Sequence, residues 1–296
     1  MQQERQESAQ RLQERLRNCD LCPRRCRVDR YSGSEGICGT GANLKVASAN
    51  LHFGEERPIS GTRGSGTIFL SGCNLKCSYC QNYDISQMES GREVTEMQFV
   101  EMMLSLQKSG AHNINFVTPT HFSAQLFSAL IRAKEEGLRL PIVYNSSGYD
   151  AVDVLREFAG LVDIYMPDMR YGNEEASDCY STAPDYPEMN RAAILEMHRQ
   201  VGDLRCDDDG IATGGLLVRH LVLPHGLAGS VEVLSFLASR VSRATYLSLM
   251  SQYHPAYRAV EDERLGRRIT SDEYDQAVNL TRELGLTNVY YQGLKN

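Results

Sequence analysis

The chain has 296 residues, of which 42% are hydrophobic and 23% charged, and its formal net charge is −7. That length holds one barrel-sized domain plus a small extra module, and the composition is that of an ordinary globular protein. The acidic balance excludes a whole-chain nucleic-acid footprint, no apolar run reaches the length of a membrane span, and Met1–Arg17 lacks the apolar stretch of a secretory signal; the expectation is a cytoplasmic protein with neither nucleic-acid nor membrane partners.

Taken along the chain, residues 1–18 predict a polar helix. Residues 19–66 are rich in Cys, Gly, Arg and Ser and show little helical periodicity. They are expected to form a metal-binding extension, with residues 67–296 as the main domain. From Thr67 the texture changes to alternating short apolar runs and amphipathic stretches. Strands are predicted at Thr67–Ser71, Asn113–Thr118, Pro141–Asn145, Val162–Met166, Leu216–Leu223 and Thr245–Met250. Thr95 and Gln98 form a capping-box pair, with Gly110 closing the helix they open. Further helices are predicted at Ser123–Glu136, Ala151–Phe158, Glu188–Gln200 and Ser230–Ser239. A last helix, Asp272–Leu284, is capped by Ser271 and stopped by Gly285.

Six strand–helix units in sequence imply an α/β fold with parallel strands and crossover helices. An open doubly wound sheet concentrates its chemistry at one switch point, whereas a barrel gathers it on the loops after every strand. Polar clusters follow all six predicted strands: Cys73–Cys80, Thr118–His121, Asn145–Tyr149, Asp168–Arg170, Pro224–His225 and Gln252–His254. This favours an incomplete barrel. Residues 171–187 read as a long loop over its mouth.

Nine cysteines are many for a chain without a secretory signal, and seven of them fall between Cys19 and Cys80 in two groups. Metal or iron–sulfur ligation accounts for that better than disulfides do. Cys73, Cys77 and Cys80 follow the first predicted strand with C-x3-C-x2-C spacing. An iron–sulfur cube is normally held by four thiolates, so three leave one iron open to chelate a cofactor with adjacent amino and carboxylate groups, such as S-adenosylmethionine (SAM). The rival readings are a zinc site, which would want a fourth ligand, and buried structural cysteines on one helical face.

The triplet, with Tyr79 before its last Cys, resembles the radical SAM signature. The resemblance runs over about residues 19–292 and is closest to proteins related to the pyruvate formate-lyase activating enzyme, in a branch with an extra N-terminal cysteine segment. It implies a partial (β/α)6 radical SAM barrel with a small N-terminal cysteine-rich extension, a [4Fe-4S] cluster, SAM, and an electron donor such as flavodoxin or ferredoxin. It also implies the chemistry. Reductive cleavage of SAM yields a 5′-deoxyadenosyl radical, which abstracts hydrogen from a substrate such as a glycyl residue of a partner enzyme; a small molecule or another peptide is the alternative. By the same resemblance Asn82, next to the triplet, lies near the cluster. Thr118-Pro119-Thr120-His121 stands where the family has Gly-Gly-Glu, so that Thr118 and Thr120 would meet the SAM amino group. Asn145-Ser146-Ser147-Gly148 resembles the activating enzymes' Asp-Thr-Asn-Gly, and Asp168-Met169-Arg170 their Asp-x-Lys, with Arg170 reaching the SAM carboxylate. The run ending at Pro224 contains Arg219, similar to the family's Arg-Tyr-Val-Val-Val-Pro. His254 in Gln252-Tyr253-His254 would lie beside SAM.

The other cysteine group, Cys19, Cys22, Cys26 and Cys38, supplies four thiols on a Gly-rich bend. Four ligands make a closed site, and zinc and a second cluster both fit. The basic residues Arg24, Arg25, Arg27 and Arg30 read as a charged rim around this site. Cys179 and Cys206 read as free thiols. Two competing functions are a non-catalytic protein with zinc in both groups and an RNA-modifying radical enzyme, the latter supported only by that basic rim.

Overall fold

The computed structural model describes residues 2–293. Ten strands run in chain order: β1 (Leu44–His52), β2 (Ser65–Leu70), β3 (Arg92–Val94), β4 (Ile114–Val117), β5 (Ile142–Ser146), β6 (Ile164–Pro167), β7 (Arg205–Cys206), β8 (Ala212–Leu221), β9 (Tyr246–Met250) and β10 (Val289–Tyr291). Ten helices accompany them: α1 (Gln2–Glu14), α2 (Arg57–Ser60), α3 (Tyr83–Ser86), α4 (Glu96–Lys108), α5 (Ser123–Glu135), α6 (Val152–Glu157), α7 (Glu174–Ser181), α8 (Tyr186–Val201), α9 (Ser230–Phe236) and α10 (Ser271–Glu283).

The strands form one sheet in the order β10-β9-β8-β6-β5-β4-β2-β1-β3, with β7 paired to β8. From β2 to β10 the neighbours are parallel and their order never reverses. A doubly wound sheet needs a reversal, so this is the winding of a barrel, left open between β10 and β3. β1 and β3 add an antiparallel edge beyond β2.

Side chains alternate between two environments, as the pleat requires. Ile142, Tyr144 and Tyr165 face the helices, in one core with Phe99, Phe127, Leu155 and Ile194. Val143, Ile164, Met166 and Leu217 point inward and close the bottom of the barrel around Ile59 of α2. Asn113 holds this plug: its Nδ2 donates to the Ile59 carbonyl at 2.8 Å, and its Oδ1 accepts from Ser65. Above the plug the interior turns polar, and there the site begins.

The capping box of Thr95 and Gln98 is formed, and Gly110 follows α4 with φ of 86°. Several expectations need correction. Residues 19–66 contain β1 and α2, and Leu12, Leu16 and Cys19 belong to the same core as the barrel helices. Residues 171–187 are no long loop. Asn173 caps α7, its Oδ1 accepting from the Ala176 amide, and α8 starts at Tyr186. The cap of α10 is Thr270, whose hydroxyl accepts from the Glu273 amide while Glu273 accepts from the Thr270 amide at 2.8 Å. α9 ends at Phe236 and continues as a π-turn through Val241.

Candidate functional site

β2 delivers the chain to Gly72, where φ is +79° and a Cβ would meet the Cys38 carbonyl at 2.5 Å. Only glycine fits both conditions. The next amide, of Cys73, donates to that same carbonyl at 3.3 Å. The loop is then anchored by fully buried Leu75 and by Asn74, which donates to the Tyr149 carbonyl at 2.8 Å. α7 lies across the loop. The amides of Lys76 and Ser78 donate to the carbonyls of Ser181 and Tyr180, and the Ser181 hydroxyl donates to the Cys77 sulfur at 2.9 Å. The Cys80 sulfur meets the Ser86 hydroxyl at 3.1 Å. Burial pushes the Cys73 thiol up to about 12 and raises Cys77, so a metal binding here has to displace protons.

Cys73, Cys77 and Cys80 face one cavity of about 310 Å³. Of the residues predicted from the sequence, Asn82, Thr118, Ser146, Asp168, Arg170 and Arg219 line it as well. Desolvation lowers the Arg170 guanidinium, yet the paired Asp168 carboxylate and the neighbouring acidic groups hold it above its ordinary range. Its Nε is buried without a partner among the described residues. A buried guanidinium N–H beside three thiols is a donor suited to an anionic group.

Thr118, directly after β4, has φ of 61°. For a β-branched residue this is strained, at about 1–3 kcal/mol. Its amide still donates to the Asn145 carbonyl at 2.8 Å. Thr118→Gly is therefore expected to raise apoprotein stability by about 1 kcal/mol in a denaturant titration, the relief of strain exceeding glycine's entropy cost. A lower midpoint would show that Thr118 contacts outweigh the strain.

The floor of the cavity is a buried polar network. Arg219 donates to Asp168 through Nε at 2.8 Å and to Asn145 through Nη2 at 2.7 Å, and its Nη1 lies 3.4 Å from Glu55. Glu55 Oε1 also accepts from Asn115 and Asn145. Burial pushes the Glu55 carboxyl up to about 6 although Arg219 opposes it. The native state thus binds more protons than the unfolded chain between roughly pH 4.5 and 6. This contribution is complete below about 4.5 and is lost as pH rises through about 6, a change on the order of 2 kcal/mol. Glu55→Gln should remove that part of the pH dependence; parallel stability curves for the two proteins from pH 4 to 7 would refute it.

Tyr79, Thr120 and His254 do not line this cavity. Tyr79 is buried beside it, edge-on to Tyr171 and Tyr253. Thr120 turns to Asp150, donating at 2.7 Å, and Asp150 also accepts from Ser146 and Tyr144. His254 is exposed, its Nδ1 3.2 Å from Gln81. Sequence reasoning missed Glu55, Asp150 and two residues of α8. Tyr186 donates to the Ser147 and Asp168 carbonyls, and Asn190 to those of Gly148 and Asp168, fixing the ends of β5 and β6. Their only signal was polarity on the buried face of an amphipathic helix.

Cys19, Cys22, Cys26 and Cys38 line a second, apolar pocket together with His121. Burial and the other three thiols raise Cys22 to about 12. Arg30 is buried, donating to the His121 carbonyl at 2.6 Å. Arg24 reaches across to the Asn74 carbonyl at 2.7 Å and to the Ser181 carbonyl. Of the predicted charged rim, these two therefore staple the segment to the barrel. Among the described residues, no group of three or more His, Cys, Asp or Glu is drawn together as around a single ion. Cys179 and Cys206 are exposed.

A family model described as the radical SAM superfamily matches residues 67–220, just over half of the chain. The chain belongs to the radical SAM superfamily. It is accordingly an iron–sulfur and SAM enzyme. Two curated relatives are uncharacterised proteins of Methanocaldococcus jannaschii. One is 29% identical over 93% of this chain and 77% of its own length, the other 24% identical over 95% and 82%. Among solved structures, the fold is similar to a radical SAM methyltransferase from Sphaerobacter thermophilus, with TM-score 0.50, 18% identity and coverage of 76% of this chain and 66% of that one. It is also similar to HydG, a maturase of the [FeFe]-hydrogenase, with TM-score 0.52, 10% identity and coverage of 76% and 50%. At these identities the likeness is one of fold. The residues fit the superfamily's cofactors: three thiols supply the soft donors a cluster takes, and the orphaned Arg170 Nε is a donor beside them. No helix among the described residues is long and apolar enough to cross a membrane.

Proposed function

We propose that Cys73, Cys77 and Cys80 hold the [4Fe-4S] cluster, that Arg170 receives the SAM carboxylate, and that the enzyme abstracts hydrogen from a small molecule or short peptide segment. A cluster held by these three thiols would, once reduced, supply the electron that cleaves SAM. The protein's own residues bind and orient. Ser181 and Ser86 steady the sulfurs, Asp168 and Arg219 fix Arg170, and the walls of Asn145 and Ser146 set the cofactor's position. The carrying observation is one cavity that joins three thiols to the half-buried Arg170, whose Nε is buried without a partner among the described residues.

Activation of a glycyl residue in a partner enzyme, with the activating-enzyme branch and oxidoreductase class it implies, is the other reading, supported by the likeness at Asn145–Gly148 and Asp168–Arg170. A second cavity of about 320 Å³ next to the first favours the small substrate. We also assign the N-terminal thiols a structural or auxiliary role, holding zinc or a second cluster. The test is anaerobic reconstitution followed by dithionite and SAM. 5′-Deoxyadenosine is the expected product, and its absence with an intact cluster would overturn the proposal.

A further inference from the structure

Next to the cysteine cavity, the curl of the sheet brings the loop after β1 close to the ends of β9 and β10. Between them lies the cavity of about 320 Å³, lined from one side by Glu55, Glu56 and Arg57 and from the other by Gln252, Tyr290 and Gln292. Glu55, Arg219 and Gln252 line both cavities, so the two adjoin along the wall these residues share.

The charges of this wall are largely spent on one another. Arg219 bonds to Asp168, Asn145 and Glu55 and also acts at longer range on Glu56, while Glu55 accepts from two asparagines. Glu56 differs. It is 8% exposed, and its Oε2 is buried with no hydrogen-bonding partner among the described residues. Its main chain is engaged, since its carbonyl accepts from the amides of Ile59 and Ser60 at the start of α2. The carboxylate is therefore held on a fixed backbone with unfilled bonding capacity. A buried carboxylate oxygen left without a donor is costly, and Arg219, the guanidinium acting on Glu56, is shared with Asp168 and Glu55, so a further cation or donor would complete it. Arg57 does not, for it forms no ion pair with Glu56 among the described residues and extends into solvent.

We propose that this second cavity is the substrate pocket, and that it takes a small molecule bearing a protonated nitrogen, an amine or a guanidine, against the Glu56 carboxylate. The shared wall of Glu55, Arg219 and Gln252 then sets the distance between that nitrogen and the cofactor cavity. Carbon atoms of the substrate at the edge where the two cavities meet are the ones presented for hydrogen abstraction. The inference rests on the radical SAM reading of the neighbouring cavity and adds the class of substrate to it.

The test uses the reconstituted holoprotein with SAM and an oxidised cluster, so that nothing turns over. Saturation-transfer NMR compares 1-aminopentane with 1-pentanol, which differ in the charged nitrogen alone. The amine is expected to bind at least about tenfold more tightly, and Glu56→Gln to remove that preference. Equal binding of amine and alcohol to the wild type overturns the proposal whether or not the variant folds, and so does a preference that survives in Glu56→Gln. Wild-type cleavage of SAM is read separately. Deoxyadenosine formation without amine preference sinks the substrate pocket alone, whereas no deoxyadenosine with an intact cluster sinks the radical reading.

Discussion

Cys77→Ser loses the cluster. Iron is expected to fall by about four atoms per chain, because a hydroxyl does not replace a thiolate on iron. Cys77 is the central ligand of the candidate set and the best supported, with α7 pressed over it and Ser181 donating to its sulfur. Reductive SAM cleavage should drop by at least about 100-fold, since loss of a mere supporting contact at a metal site already costs 10–100-fold. Cys179→Ser is the control, for that thiol is exposed on α7 and lies outside the cavity. Iron analysis and deoxyadenosine formation on both variants settle the assignment: a Cys77→Ser protein that keeps its iron and its cleavage would remove Cys77 from the ligand set.

The second large effect concerns Arg170→Met. Asp168 is 6% exposed and has two cationic partners, Arg170 and Arg219. Removing one leaves the carboxylate half-compensated, so the apoprotein should lose about 3 kcal/mol, the lower end of the range for a broken buried pair. SAM affinity should fall by about 10–100-fold, equivalent to one charge-assisted hydrogen bond. Arg170→Lys keeps the charge without the planar fork and is expected to fall between wild type and Met. Calorimetric titration of SAM into the cluster-loaded proteins reads this directly. Unchanged affinity in Arg170→Met would mean that the carboxylate is received elsewhere in the cavity.

How much of this was legible from the residues differs by element. The six strands β2, β4, β5, β6, β8 and β9 are buried on both faces and read as continuous apolar runs. β1 was not legible because its outer half, Ala49–His52, is half-exposed and its composition suits a loop. β3, β7 and β10 are two or three residues long, too short to show a period. α7 had a signal, the cap Asn173 followed by Glu174 and Glu175, masked by its eight-residue length. In the site, residues next to a motif were found from the motif. Glu55 was not, because it stands between Gly54 and Pro58 in a segment with no neighbouring pattern, and only the curl of the sheet carries it under Arg219. Thr120 was placed in the cofactor's path because its run stands where the family has Gly-Gly-Glu, whereas its hydrogen bond to buried Asp150 turns it aside.

The carbonyl of Cys38 over Gly72 has a consequence for how this enzyme could be dissected. Residues 19–38 leave the ribosome before the triplet does, so the wall against which the triplet closes is synthesised first. A fragment starting at residue 67 would retain Cys73, Cys77 and Cys80 and nearly every parallel strand. It would lack the acceptor for the Cys73 amide and the guanidinium of Arg24 that ties Asn74 to α7. The loop of Cys73, Cys77 and Cys80 is thus not a portable cassette: in this protein it is half of a joint whose other half lies more than thirty residues earlier in the chain.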